Sequence, residues 1–376
     1  MVLHQKTSKY ACSKKESVMA RKRIIIPIAI FCSVILAYSL RGIIVVPVLE
    51  RAIPKMMSAT TAANLGDGLH IAICGAGGPL PDPKRSGACM LIIAGDTLLM
   101  IDSGSGGPRN IGHMQFPIGD VDAVLLTHFH SDHIDGLGET ATLRWASGDN
   151  TSPLPVIGPT GVEKVVDGFN MAYSHDKGYR HDHHGDTVAP NSGFGLIAQA
   201  FATPAIGASA VVWDKDGLLI SAFSVDHKPV NPAVGYRIDY KGRSAVVSGD
   251  TAKSTNLEFF AKDTDLLLHE GLSPKLVMLM NKAAVQIGNA GIAKITIDIL
   301  NYHASPAEAA ESAQAANVKH LALYHIVPPL IVPGQDLVYL EGVADAYDGP
   351  TTLTQDGTIF SLPANGTEVI VVQKGL

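Results

Sequence analysis

Residues Thr127–Gly136 read THFHSDHIDG, and this run decides what fold the chain needs. His128, His130, Asp132 and His133 fall within six positions. The stretch before them, VDAVLLT (Val121–Thr127), is apolar and β-branched and predicts a buried strand. The four side chains therefore sit on the turn leaving that strand. The strand end fixes the backbone while the loop aims the side chains. Imidazole and carboxylate together suit a borderline divalent cation, with zinc the first choice. The spacing divides the set: His128 and His130 can point one way, while Asp132 and His133 can face a second ion. A lone loop histidine is ordinarily a solvated surface residue, but four metal-competent residues at one strand exit read as a site.

The HxHxDH run after an apolar strand resembles the signature of the metallo-β-lactamase-fold hydrolases, and other pieces of that pattern follow in order. Asp102 closes the strand-like LLMID, His227 follows LLISAFSVD, Asp250 sits in VVSGDT and His325 ends VKHLALYH. Each comes at the C-terminal end of an apolar β-like segment, as a metal site at one edge of a sheet sandwich requires. PLPVIGPTGVE, VGYRIDYKGRSAVVSGDT, TDLLLHEG and YHAS narrow the resemblance to the ribonuclease Z and arylsulfatase-like branch, over most of the chain from Leu69 to His325. Where that branch has HEAT and HST, this chain has His269-Glu270-Gly271 and His303-Ala304-Ser305.

The resemblance implies an αββα sandwich of two mixed sheets flanked by helices. It implies two zinc ions per chain, with manganese or iron left open. His128, His130 and His227 would bind the first ion, Asp132, His133 and His325 the second, and Asp250 would bridge them. A hydroxide held between the ions would be the nucleophile. Asp132 would also orient or deprotonate it. His303 would stabilise the phosphate or protonate the leaving oxygen, with Glu270 holding its tautomer. Asp102 is expected to support the ligand loops through hydrogen bonds, and His269 to be structural.

The expected function is a phosphodiesterase of the ribonuclease Z-like branch. Aryl sulfate or lactone and other ester hydrolysis is the alternative, and a non-catalytic scaffold is the alternative from another class. The expected substrate is a small phosphoester or sulfate ester. Net charge is −6 with pI about 6.2, whereas non-specific nucleic-acid binding needs a basic surface. The chain also lacks a long Gly-, Pro- and Lys-rich arm. Both points leave RNA open without favouring it, and a homodimer is left open too.

The N-terminal region is different material. Lys6, Lys9, Lys14, Lys15, Arg21, Lys22 and Arg23 precede the uncharged run Ile24–Leu40, at the short end of the ~20 residues that cross a bilayer. The expected organisation is a basic cytoplasmic tail (1–23), an anchor or signal sequence (24–40), a linker (41–68) and a hydrolase domain (69–376). The positive-inside bias places the hydrolase on the non-cytoplasmic side, periplasmic or extracellular, anchored in the membrane, or secreted if the signal is cleaved. Cys74 and Cys89, on two early strand-like segments, would form a disulfide in an oxidising compartment. The preferred reading is two small buried hydrophobes. Met171–Gly195 is polar and reads as a solvated loop beside the site mouth; by the resemblance it sits where relatives carry substrate-contacting insertions, and His181, Asp182, His183 and His184 look like a second metal cluster. Ser305-Pro306-Ala307-Glu308 predicts a capping box and a helix towards Ala316.

Overall fold

The structure, a computed structural model, describes residues 6–58, 60–148 and 150–376. Side chains before Ile26 lie outside the described residues, so the basic character of the 1–23 tail and Cys12 are not addressed by it. Residues 1–59 and 60–376 are separate compact units. The first is helix α1 (Lys6–Ser58). The expected boundary at Arg41-Gly42 is not a helix end, and residues 41–58, expected as linker, are helical. A single glycine costs a helix only about 1 kcal/mol against alanine, too little to stop it between apolar neighbours. Among the described residues no single helix is long and apolar enough to cross a membrane. Ile30–Ile43 and Val45–Met57, bent by 53°, satisfy length and composition only as a pair, so the run Ile24–Leu40 does not stand out as a separate span.

The second unit holds two sheets. One orders β15 (Ile370–Gln373), β14 (Thr358–Pro363), β1 (Gly68–Gly75), β2 (Cys89–Ala94), β3 (Thr97–Ser103), β4 (Ala123–Leu125), β5 (Leu154–Pro159) and β6 (Leu196–Phe201). The other orders β13 (Thr351–Leu353), β12 (Leu321–Val327), β11 (Leu266–Leu272), β10 (Arg243–Val247), β9 (Val234–Tyr240), β8 (Leu218–Ser224) and β7 (Ser209–Lys215). Both mix parallel and antiparallel pairs: β3, β4, β5 and β6 run parallel, as do β10, β11, β12 and β13.

The period-2 alternation of the strands explains the layering. Leu69, Ile71 and Ile73 of β1 and Met90 and Ile92 of β2 face the other sheet, meeting Ile220, Tyr236, Ile238 and Leu268 in one core. Their neighbours Ala72, Leu91 and Ile93 face outward against α2 (Gly107–His113), α4 (Leu137–Ser147) and α5 (Val162–Ala172). The outer face of the second sheet packs on α7 (Thr255–Phe260) and α10 (Pro306–Ala315). The result is the expected helix–sheet–sheet–helix sandwich. The capping box at Ser305 and Glu308 forms as the sequence predicts.

After the His cluster, α3 (Ser131–Ile134) is followed by α4, with Asp135 and Gly136 between them; a Cβ at Gly136 would lie 2.8 Å from the Ser103 carbonyl oxygen, so only glycine fits there. Two local expectations change. The expected polar loop contains α6 (Ser174–His184), which buries no residue. A helix polar all round gives no apolar stripe to read. Cys74 and Cys89 are disulfide-bonded, with Cα atoms 5.0 Å apart. They point to the same outer face from paired antiparallel strands, which overturns the preferred reading as separate buried thiols. We expect iodoacetamide under native, non-reducing conditions to leave Cys74 and Cys89 unlabelled, and both to label after reduction and unfolding. Labelling of either without reduction would contradict the bond.

Candidate metal centre

The parallel strands all end at one edge of the sandwich, and the candidate ligands gather there. His128 and His130 lie in the loop after β4, and Asp132 and His133 in the first turn of α3. His227 follows β8, Asp250 follows β10, and His325 lies within β12. The donor atoms of His128, His130, His227 and Asp250 all lie within 4.8 Å of one another, as do those of Asp132, His133 and His325. Asp250 sits between the groups. Its Oδ2 is 3.8 Å from Nε2 of both His128 and His227 and 3.5 Å from Nε2 of His325, and its Oδ1 is 3.4 Å from Nε2 of His133. His303 joins Asp250 and His325 in a third such group.

Divalent cations fit this donor set. Nε2 of His128, Nε2 of His133 and Oδ1 of Asp250 are buried without a hydrogen-bond partner. Buried polar atoms are normally satisfied, so these three orphans, on residues of both ligand groups, leave room for positive charge. Nitrogen and carboxylate-oxygen donors in this number suit zinc and its neighbours.

Electrostatics agrees. Burial holds the His128 imidazole well below its ordinary value, with the charge of His133 adding to it. Burial likewise lowers His130 and His227 against the pull of Asp250. These three rings are therefore neutral, as ligation requires. His133 goes the other way. Burial would lower it, but Asp250, Asp102 and Asp132 together raise it well above the usual range. His325 is raised against burial by Asp250 and Asp132. Asp132, despite its burial, is held down at about 2 by His133 and His325. The buried carboxylates thus push His133 and His325 towards the protonated form, whereas ligation needs those rings neutral.

Supporting residues aim the ligands. Asp102 Oδ1 accepts from the Thr127 backbone N–H, and its Oδ2 accepts from Thr127 Oγ1 and from His133 Nδ1, at 2.8 Å each. This is the supporting role expected for it. His227 Nδ1 donates to the Tyr302 carbonyl at 2.9 Å, leaving Nε2 for the site. Glu270 Oε1 accepts from His303 Nδ1 at 2.9 Å and from the Ala304 N–H at 3.1 Å. Burial would lower His303, but Glu270 and then Asp250 lift it to about 9.

Two strand irregularities present key side chains. The β2–β3 register shifts between Met90↔Ile101 and Cys89↔Ser103, leaving Asp102 as the extra residue with φ 57°. The β11–β12 register shifts between Glu270↔Tyr324 and Gly271↔Ile326, leaving His325 with φ 49°. A bulge re-aims one side chain out of the pleat. Left-handed backbone at a non-glycine costs of order 1–3 kcal/mol and persists only where its surroundings enforce it.

His181, Asp182, His183 and His184 form no metal-competent group among the described residues, and His181 Nδ1 bonds to the Ala189 carbonyl instead. His269 is buried, pairs with the Glu270 carbonyl and joins none of the three groups. Sequence reasoning missed Thr127, the Tyr302 carbonyl and Gly78. A Cβ on Gly78 would lie 3.0 Å from the His325 ring. The one available signal was GAGG following a strand, which reads only as a turn.

A cluster of His and Asp side chains able to hold divalent metal, at the strand ends of an αββα sandwich, defines a metallo-β-lactamase-fold metallohydrolase. The beta-lactamase superfamily domain profile matches residues 100–326. The chain is 34% identical to ribonuclease Z of Mycobacterium bovis over 290 residues, 77% of this chain and 96% of the relative. Its fold resembles the human tRNase Z short form (TM-score 0.56, 19% identity, 78% of this chain and 99% of that one). It also resembles a metallo-β-lactamase fold protein from Bacillus subtilis (TM-score 0.55, 18% identity, 78% and 100%). The chain belongs to the metallo-β-lactamase superfamily and, within it, to the ribonuclease Z family, and is a metal-dependent hydrolase.

Replacing Asp102 by Asn keeps a residue that tolerates the left-handed backbone but removes one of the two carboxylate acceptors. We expect Asp102→Asn to weaken divalent-cation affinity about 10–100-fold with an unchanged far-UV circular dichroism spectrum. Competition titration with a chromophoric chelator measures this, and wild-type affinity would refute the orienting role.

Proposed function

We propose that the protein is a phosphodiesterase that holds two divalent cations, zinc first, between the two ligand groups that share Asp250. His128, His130, His227 and Asp250 would hold one. Asp132, His133, His325 and Asp250 would hold the other. The observation that carries this reading is the position of Asp250, whose two oxygens face imidazoles of both groups. When bound, such a pair of ions supplies an activated water at neutral pH and stabilises charge developing on an oxyanion.

The chain's own residues do the rest. Asp132 Oδ2 lies 3.0 Å from His325 Nε2 at the floor of the site, where it orients the attacking water. His303, steadied by Glu270, borders the same cavity as Asp132 and Asp250. It donates a proton to the leaving oxygen or neutralises the phosphate, a contribution of roughly 10²–10⁴. The Glu270 carboxylate fixes the proton on His303 Nδ1, so Nε2 is the atom offered to the substrate when the ring is charged.

Phosphodiester hydrolysis is favoured by family. RNA is the polymer class named for the relatives, so the charge argument that disfavoured it is set against that membership. A small phosphodiester is favoured by an apolar cavity beside the ligands. Aryl sulfate and lactone hydrolysis remain alternatives for the same site. For location we propose the non-cytoplasmic side, and the disulfide, which persists in oxidising compartments, supports it.

The metal-replete protein is expected to contain about two cations per chain and to cleave bis-p-nitrophenyl phosphate, with activity lost in His128→Ala. Turnover confined to p-nitrophenyl sulfate or a lactone would move it to the alternative class. In His303→Ala we expect retained metal with kcat down at least 10²-fold; full activity would remove the proton-handling role. Asp250→Ala should lose the cations themselves, read by metal analysis after gel filtration, and full occupancy would contradict bridging.

A further inference from the structure

Beyond the ligands, the site is walled by hydrocarbon. A cavity of about 270 Å³ opens over His130, Asp132, Asp250, His303 and His325. Its far side is made by Val277 and Met280 of α8 (Pro274–Gln286), Ile292 and Ile295 of α9 (Ala290–Asp298), and Ile299 just beyond. None of the described residues lining it is Lys or Arg. The wall is a built hairpin: Asn281 Nδ2 on α8 donates to the Ala293 carbonyl at 2.7 Å and to Thr296 Oγ1 at 2.9 Å on α9.

The apolar surface continues past the cavity. A groove lined by Leu276, Leu279, Ala283, Pro329 and Ile331 shares Leu80 and Met280 with it. Leu279 is 59% exposed and Ile295 54% exposed. Apolar area at a site mouth gains by losing contact with water when a ligand covers it. A nucleic acid would instead ask for cations along the path of its neighbouring phosphates; among the described residues lining the cavity and the groove there is no Lys or Arg, and Lys275 and Lys294 of the hairpin are paired with Glu341 and Asp298. The cavity is thus polar and cation-ready at one end and mainly apolar at the other, where Val277, Met280, Ile292, Ile295 and Ile299 outnumber Thr296.

We infer that the α8–α9 hairpin is the specificity wall of the enzyme and selects phosphodiesters in which one ester group is apolar, aryl or alkyl. The inference rests on the phosphodiesterase reading of the ligand cluster. The phosphate lies against the ligand end and the apolar group against Met280, Ile292 and Ile295. Water forms a new P–O bond, the P–O bond to the leaving group breaks, and the leaving oxygen takes a proton.

The test uses the full chain with its cations and reads binding apart from turnover. Methylphosphonate, phenylphosphonate and guanosine monophosphate are titrated calorimetrically into wild type and into Ile295→Ser, a substitution at an exposed helix position. Bis-p-nitrophenyl phosphate turnover and metal content are measured on the same preparations. Wild type should bind phenylphosphonate about tenfold or more tightly than methylphosphonate, and Ile295→Ser should lose several-fold of that advantage. Equal binding of the two phosphonates, an advantage untouched in Ile295→Ser, or tighter binding of guanosine monophosphate than of phenylphosphonate would overturn the inference. Turnover without the phenyl preference sinks the apolar wall alone. The preference without any diester turnover sinks the phosphodiesterase reading and leaves the cavity's selectivity standing.

Discussion

The structure depends on one electrostatic constraint. The Asp250 carboxylate is buried among imidazoles of His128, His133, His227 and His325, at distances of 3.4 to 3.8 Å. An uncompensated buried charge costs several kcal/mol, so this cluster must be balanced. Asp250 and Asp132 push His133 and His325 towards the protonated form, and a cation would supply the same balancing charge. The orphaned nitrogens of His128 and His133 have no other use in the fold. A site of this kind is stable because positive charge completes it.

The sandwich is the device that brings these groups together. Ligands from the loops after β4, β8 and β10, and from within β12, meet because their strands end at one edge. The bulges at Asp102 and His325 turn two side chains that a regular pleat would send elsewhere. Each sheet contributes one of these two bulges, and each of the two places a residue with left-handed backbone beside the cluster. Asp102 fixes His133 and Thr127, while Glu270, paired with β12 in the other sheet, fixes His303. One sheet thus supports a candidate ligand, His133, and the other supports His303 beside the ligands.

Much of this was legible in the sequence because it was local. THFHSDHIDG carries four of the gathered groups within six positions, and strands such as Val234–Tyr240 announce themselves by alternation. The capping box at Ser305 is a four-residue pattern with a direct mechanism. What was not legible depended on tertiary context or lacked a periodic signal. Helix α6 is polar on every face. The Cys74–Cys89 bond depends on strand register, which no spacing in the chain reveals. The continuation of α1 through Gly42 turns on a small propensity cost that neighbouring residues outweigh. The apolar wall arises only when α8 and α9 fold back over the metal-site edge, so its substrate meaning is invisible in the linear order of Val277, Met280, Ile292 and Ile295.

The most direct test of the account is X-ray absorption spectroscopy on the zinc-loaded full chain. The ligand geometry predicts coordination by imidazole nitrogen and by oxygen, from carboxylates and water, without sulfur, and a metal–metal distance of about 3.5–4 Å. A single isolated ion, or scattering from sulfur ligands, would contradict a paired centre built around Asp250.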